Sequence, residues 1–237
     1  MSMKRNYFVF DGKSSAEFGA WIAASNAFDG AEHDEEVVEI PGRNGALVFS
    51  NDRYKNVEAT VDCYIPHHMQ TNVDGLRSFL SNKYGYYRYE EAIKPEEFRL
   101  ARFLGPFSLS ASDRVGAAFT LSFDMKPQRF LKSGELPVTF SGSGTIYNPT
   151  EYDAKPLIRC YGQSGTVTVG GIRVTVTGCS SYVDLDCELM EAYEGTANRN
   201  GTTTLRDGDF PALKPGTNAV SFSGFRSVVV TPRWWRI

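Results

Sequence analysis

The sequence predicts a mainly β protein in two parts: an N-terminal β domain carrying one short helix and a hairpin, followed by a β-sandwich. Three observations carry that prediction. Apolar and polar residues alternate with a period of two along several separate runs, the pattern of half-buried strands. Helical spacing is convincing in a single place. Composition shifts between Lys126 and Lys155, where Gly, Ser and Pro punctuate the chain as they do between domains. A length of 237 residues suits one large or two modest domains. The 16 Phe and 12 Tyr fit pleated, half-buried surfaces, where large rings pack well.

Near the start, Met1-Ser2-Met3-Lys4-Arg5-Asn6 precedes only four apolar residues, Tyr7–Phe10, too few for the core of a signal peptide. No run approaches the roughly 20 apolar residues needed to cross a bilayer as a helix. The expectation is a chain made and assembled in a cytosol, without a membrane partner. Gly42-Arg43-Asn44-Gly45 superficially resembles a phosphate loop but lacks the Gly-Lys-Ser/Thr that would complete it. It reads instead as a tight turn between strand-like Val37–Ile40 and Ala46–Phe49.

Val57, Ala59, Val61, Cys63 and Ile65 alternate with Glu58, Thr60, Asp62 and Tyr64 as one strand. Ala117, Phe119, Leu121, Phe123 and Met125 alternate with Thr120, Ser122, Asp124 and Lys126 as another. Between them Val73, Leu76 and Leu80 fall at helical spacing with Phe79 beside them. Thr71, three residues before Asp74, is a weak capping-box analogue, and Gly85 a plausible stop. Tyr86–Tyr89 and Phe98–Phe103 flank the acidic connection Glu90–Glu97 and read as a hairpin with a charged tip. Aromatics and arginines interleave there. Ordinary cross-strand packing with solvated arginine heads accounts for that pattern, and so does a protein–protein interface, where Tyr and Arg are enriched. On the second account the candidate oligomer-interface residues are Tyr87, Arg88, Tyr89, Phe98 and Leu100.

The expected boundaries are 1–135 for the first domain, 136–152 for a linker and 153–237 for the second domain. Leu136–Phe140 retains enough apolar character to form a strand inside the linker. Beyond it, Thr166–Val169 and Ile172–Val176 flank Gly170-Gly171, a pair that permits the positive φ angles of a two-residue hairpin turn. Tyr182–Cys187 alternates again. The C-terminal stretch packs turn residues between the β-like runs Ala219–Phe222 and Ser227–Val230, then ends on Arg233-Trp234-Trp235-Arg236-Ile237, expected to close the sandwich. Two adjacent tryptophans are expected to be covered, since each can bury about 150–250 Å².

Chemistry is sparse. His33, His67 and His68 are the only histidines, without the ligand spacing of a zinc site or the elbow of a serine hydrolase. Cys63, Cys160, Cys179 and Cys187 lack CxxC spacing; they read as buried free thiols, with a disulfide or metal pair as the alternative. Asp184, Asp186 and Glu188 share one strand face, as paired acids of a β-sandwich glycosidase would, but they read as the solvated outer face of an amphipathic strand, opposite Val183 and Leu185. Asp207-Gly208-Asp209 reads as a turn rather than a calcium loop, because the other ligands are missing. No cofactor is implied. A net charge of −3 argues against non-specific nucleic-acid binding, which needs a basic face.

Five blocks in order resemble siphophage distal tail proteins. They are Phe8–Ser15 with Glu17-Phe18-Gly19; Ile40–Gly45 with Asn51–Tyr54; Phe123–Pro127 with Phe130-Leu131 and Gly134; Asp153–Ile158; and the terminal stretch from Asp207-Gly208-Asp209-Phe210-Pro211 to the Trp-Trp end. The resemblance implies an N-terminal domain with a projecting hairpin and a galectin-like C-terminal sandwich. It further implies a hexameric ring at the virion tail tip, assembled in the host cytoplasm and joining the tail tube protein to the tail-tip or baseplate proteins. The partners it implies are further copies of this chain, the tail tube protein, the tail-associated lysin protein and receptor-binding protein, with DNA passing through the ring unbound. Galectin sugar sites use a His, an Asn and an Arg, and no histidine follows His68 here. A carbohydrate-binding, adhesin-like module is therefore the second reading and a β-sandwich glycoside hydrolase the third.

Overall fold

The computed structural model describes residues 5–112, 114–206 and 208–237. The chain divides into two compact units, one running to Arg129 and including Ile237, the other spanning Phe130–Arg236. The fold is mainly β, as the alternation predicts.

The first unit contains β1 (Phe8–Phe10), β2 (Lys13–Ser14), β3 (Trp21–Ser25), β4 (His33–Glu39), β5 (Ala46–Tyr54), β6 (Val57–Ile65), α1 (Met69–Ser81), β7 (Tyr87–Glu91), β8 (Glu97–Phe103), β9 (Ser108–Ser112) and β10 (Ala117–Met125). Its main sheet is antiparallel in the order β2-β1-β7-β8-β10-β6-β3, with β9 taking over the edge of β10 beyond β8. The two longest alternating runs of the sequence are neighbours, paired residue for residue from Ala117↔Ile65 to Met125↔Val57. Their inward residues Val61, Leu121, Phe123 and Met125 are fully buried, together with Phe8, Phe10 and Tyr89. Helix α1 lays Val73, Leu76 and Leu80 into this core. It begins earlier than the capping pattern predicts. Its N-cap is His68 in the left-handed region, without a side-chain cap, so Thr71 lies inside the first turn.

Among the polar side chains buried in this unit are Glu91 and Arg99. Glu91 accepts from Tyr89 Oη at 2.9 Å, Ser25 Oγ at 2.5 Å and Asn6 Nδ2 at 3.2 Å. Arg99, with no exposed surface, donates to the carbonyls of Ala27 (2.7 Å), Asp29 (3.1 Å) and Pro127 (2.8 Å). That guanidinium ties the chain before β4 to the chain after β10, and its burial pushes its pKa down to about 10.

Strands β4 and β5 form a two-stranded sheet of their own, turning through residues 40–45 with Gly42 and Gly45 at φ 81° and 80°. The predicted turn is therefore present. The projecting hairpin is this one, because Tyr87–Phe103 lies within the main sheet: β1 flanks β7 and β10 flanks β8.

The second unit contains β11 (Arg129–Leu131), β12 (Val138–Phe140), β13 (Gly144–Asn148), β14 (Leu157–Tyr161), β15 (Gly165–Val169), β16 (Ile172–Val176), β17 (Tyr182–Asp186), β18 (Glu191–Glu194), β19 (Ala197–Asn198), β20 (Thr203–Leu205), β21 (Gly216–Ser223), β22 (Ser227–Thr231) and β23 (Trp235–Arg236). Two antiparallel sheets, β12-β22-β14-β17-β18-β19 and β13-β21-β15-β16-β20, face each other across a core that includes Ile158, Val167, Val174, Leu185, Val220 and Val230. The expected linker 136–152 is corrected here. It supplies β12 to one sheet and β13 to the other, because Phe140, Ile146 and Asn148 are buried at alternate positions despite the Gly and Ser between them. Asn148 earns its place by donating to the carbonyls of Tyr152 (2.8 Å) and Leu213 (2.9 Å).

The Gly170-Gly171 hairpin forms as predicted, at φ 58° and 89°. The terminal tryptophans do not extend the sandwich sheets. Trp234 is 5% exposed in the core, while β23 pairs with β11 outside both sheets. Trp235 stacks on Tyr152 at 4.5 Å between ring centres and donates Nε1–H to the Asp153 carbonyl at 3.0 Å.

Candidate functional site

The five interface candidates separate by strand parity. Tyr87 and Tyr89 share the inward face with their partners Ala101 and Arg99, whereas Arg88, paired with Leu100, points outward with Phe98. Tyr89 has no exposed surface and stacks on Phe8 at 5.7 Å. Burial, with Glu91 beside it, raises its hydroxyl pKa well above the ordinary range. Tyr87 is half-buried edge-on against Phe10 at 5.7 Å, with Lys83 over its ring. The structure therefore brings Arg88, Phe98 and Leu100 together on one outer patch and places the two tyrosines elsewhere. The Arg88 guanidinium lies 3.7 Å from the Phe98 ring centre and also bonds Glu90.

The adjoining outer face of the sheet is polar. Tyr86 Oη donates to Asp124 Oδ2 at 2.5 Å, Asn56 Nδ2 donates to both Tyr86 Oη and Asp124 Oδ1 at 2.8 Å, and Arg102 Nη2 reaches Asp124 at 3.1 Å. Desolvation would raise the Asp124 pKa, but these donors outweigh it and hold the carboxyl below its usual range. The bond to Asp124 in turn raises that of Tyr86.

The β4–β5 hairpin is a candidate surface that the sequence reading did not single out. Val37 and Val48, direct cross-strand partners, are 62% and 56% exposed, and Phe49 is 56% exposed. Ile40 at the turn is exposed as well. A two-stranded hairpin is marginal alone in water, and one exposing this much apolar surface has more to gain from being covered. The signal was present in the residues. Val37-Val38 and Leu47-Val48-Phe49 place apolar side chains on both faces of the ribbon, which a strand with one solvated face does not do. Glu35, Glu36 and Glu39 make strand β4 acidic, and the His33 ring lies 4.6 Å from that of Tyr54 at the base, tilted by 36°.

The acidic trio of the second unit is neither a solvated face nor a free catalytic pair. Asp184 and Asp186 are 2% and 4% exposed. Arg159 holds Asp184 through two bonds of 2.7 Å, and Arg233 holds Asp186 at 2.7 and 2.9 Å. Alternation placed both acids on the outer face correctly, but the arginine heads above them shut out water. Asp186 also accepts the Glu188 and Leu189 amides, and these bonds with Arg233 keep its pKa low against desolvation. Glu188 is exposed, 4.0 Å from Lys155.

His67 and His68 are exposed, as is His33. All four cysteines are buried free thiols, as their spacing suggested. Among the described residues no three His, Cys, Asp or Glu side chains are placed to hold a metal. Of the Asp207-Gly208-Asp209 stretch, Asp207 lies outside the described residues, and Gly208 sits at φ 81° as turn glycines do. Among the described residues no helix is long and apolar enough to cross a membrane.

No protein-family model matches the chain, and a search of characterised sequences gives no match. The fold does have a counterpart among solved structures. Dit (gp 19.1) of phage SPP1, a paradigm of the hub adsorption apparatus in phages that infect Gram-positive bacteria, superposes with a TM-score of 0.76 at 14% identity. The match covers 99% of this chain and 100% of that one. Both units, from the helix-bearing sheet with its free hairpin to the sandwich ending in Trp-Trp, thus have the fold of SPP1 Dit.

Proposed function

We propose that this chain is a structural component of a phage tail, a hub that closes into a hexameric ring between the tail tube and the tail-tip or baseplate proteins. The observation that carries the reading is the end-to-end likeness to SPP1 Dit, which spans both units rather than one shared module. The five sequence blocks add to it independently, since backbone superposition does not depend on them.

A closed ring needs one surface to meet a different surface on the next subunit. The first unit offers such a pair. The hairpin β4–β5 carries exposed Val37, Val48 and Phe49 beside Glu35, Glu36 and Glu39, and the outer face of β7–β8–β10 carries Phe98 and Leu100 beside Lys126 and beside Arg88 and Arg102, the two arginines also bonding Glu90 and Asp124 of that face. Apolar meets apolar and acid meets base when the hairpin of one subunit crosses the outer face of its neighbour. On this reading the tail tube protein and the tail-associated lysin protein stack on the ring, receptor-binding protein joins at the tip, and DNA passes through without a basic surface to hold it. The chain works by assembly and not by catalysis. Asp184 and Asp186, the acids a glycosidase would need, already have both carboxylate oxygens engaged by guanidinium groups.

Light scattering coupled to size exclusion, with class averages from negative-stain microscopy, tests the ring. The expected result is a six-fold particle whose mass is six times that of the chain. A monomer up to high micromolar concentration, alone and when co-expressed with the tail-tip protein encoded beside it, refutes the reading.

A further inference from the structure

The turn joining β17 to β18 presents Leu189 and Met190 at its tip, 63% and 64% exposed. Adjacent large apolar side chains left in water are uncommon on a turn, where small polar residues prevail. The backbone beneath them is fastened. Asp186 Oδ1 accepts the amides of Glu188 at 3.1 Å and Leu189 at 3.2 Å, and Arg233 grips the same carboxylate from the other side. Met190 stands at φ 56°, a left-handed conformation that costs any residue with a Cβ more than glycine. Elsewhere in this unit such positions are held by glycines, among them Gly170, Gly171, Gly178, Gly195 and Gly216, and by Arg233, whose side chain is engaged by Asp186. At this corner a methionine stands where glycine would be unstrained, and its side chain does nothing for the core. Glu188 and Glu191 flank the tip and are both exposed. The corner is thus a rigid apolar knob with an acidic rim.

We infer that the Leu189–Met190 knob docks into an apolar pocket rimmed by Lys or Arg on another protein of the tail. The rim decides the partner's charge, since Glu188 and Glu191 would face basic groups across the contact. Fixing the turn before binding spares the ordering cost that a flexible loop would meet. Met suits a knob of this kind because its thioether adapts to an irregular pocket. The inference rests on the tail-component reading.

Because all four native thiols are buried, Leu189→Cys in the full chain gives a single reactive handle. Its rate of maleimide labelling is compared in the purified protein and in tails produced by the genome that encodes the chain. The expected result is rapid labelling when free and at least about ten-fold slower labelling in tails, as for a side chain desolvated in an interface. Equal rates in tails overturn the inference while leaving the ring reading intact. Slow labelling of the purified protein shows that copies of this chain cover the knob, which also overturns it. Absence of the chain from tails defeats the tail reading and the inference with it. Met190→Gly separates docking from a structural role: it should leave thermal stability equal or higher, because the backbone strain is relieved, yet weaken retention of the docked protein by roughly thirty-fold. Undiminished retention in Met190→Gly overturns the assignment.

Discussion

Replacing Val48 by lysine isolates the hairpin as an assembly element. In the free subunit Val48 is 56% exposed, opposite Val37 and on the same face as Glu35 and Glu39 of β4. A lysine there stays solvated and relieves crowding among the acids, so the thermal midpoint of the subunit should hold or rise slightly, as for surface changes within about 0.5 kcal/mol. In the proposed ring the outcome reverses. Fully burying a Val or Phe side chain contributes about 1.5–3 kcal/mol, and roughly half of that is still unrealised in the free hairpin. Val37 and Val48, which share one face of the ribbon, therefore offer about 2 kcal/mol per contact, and Phe49 on the other face adds to it only where that face is covered too. Lysine forfeits the share of Val48 and brings an ammonium into an apolar contact beside basic groups. The combined cost of about 3 kcal/mol weakens association roughly a hundred-fold. Sedimentation velocity over a concentration series reads that shift directly, with a melting curve as the control. Association unchanged within about three-fold would refute the hairpin's role, even if the protein still formed rings by another surface.

Four further outcomes follow from the geometry. Arg99→Met removes three hydrogen bonds from a charged donor and strands the carbonyls of Ala27, Asp29 and Pro127; it should cost about 3 kcal/mol in urea unfolding, net of the released desolvation of the charge. Gly134→Ala would put a Cβ 2.3 Å from the Trp234 amide nitrogen and should destabilise the second unit by at least about 2 kcal/mol, seen as a lowered melting temperature. Glu194 accepts the amides of Ser180 and Ser181 and a bond from Arg199, which holds its pKa at about 2. A carboxyl with a depressed folded pKa stabilises above its unfolded value and loses that contribution as pH falls through the folded one. Amide exchange at Ser180 and Ser181 should therefore stay protected at pH 4.5 and open towards pH 2. The thiols of Cys63, Cys160, Cys179 and Cys187 have pKa values raised by burial, so a disulfide-exchange reagent should find none reactive in the folded chain and all four after unfolding.

The parts of the fold that could be read from residue order are those where a local period coincides with burial. Val57–Ile65, Ala117–Met125 and the Val73–Leu80 helix each show one apolar face, and each lies as that face requires. The turns at Gly42–Gly45 and Gly170-Gly171 were equally legible, because positive φ is a local demand. What failed was information held by distant partners. Gly and Ser between Phe140 and Gly144 resemble a linker until one knows that β22 and β21, 68 to 92 residues further along, pair with β12 and β13. Arg99 looks like a solvated arginine on a hairpin, because nothing near it in sequence announces that Ala27, Asp29 and Pro127 present their carbonyls. Alternation assigned Tyr89 to a face but not to the core, since only the neighbouring strands decide which face of β7 is covered.

That last point changes which experiments address assembly. Glutamate at position 89 would place a carboxylate among Phe8, Phe28 and Phe123, and loss of rings would report unfolding. Residues suited to the purpose reach the surface before assembly, which is why the exposed hairpin, and after it the half-buried Arg88–Phe98–Leu100 patch, are better probes than buried Tyr89. The two units differ in the same respect. In the second, the acids of the outer face already hold arginines, the threonines Thr166 and Thr175 hydrogen-bond across strands at 3.1 Å, and Trp235 has its stacking partner in Tyr152. Its exposed large apolar side chains include Tyr147 on β13 and, side by side at one corner, Leu189 and Met190. In the first, a whole ribbon from His33 to Tyr54 has no third strand. A broad uncovered ribbon suits a permanent contact between identical subunits, and a small rigid knob suits attachment of something else.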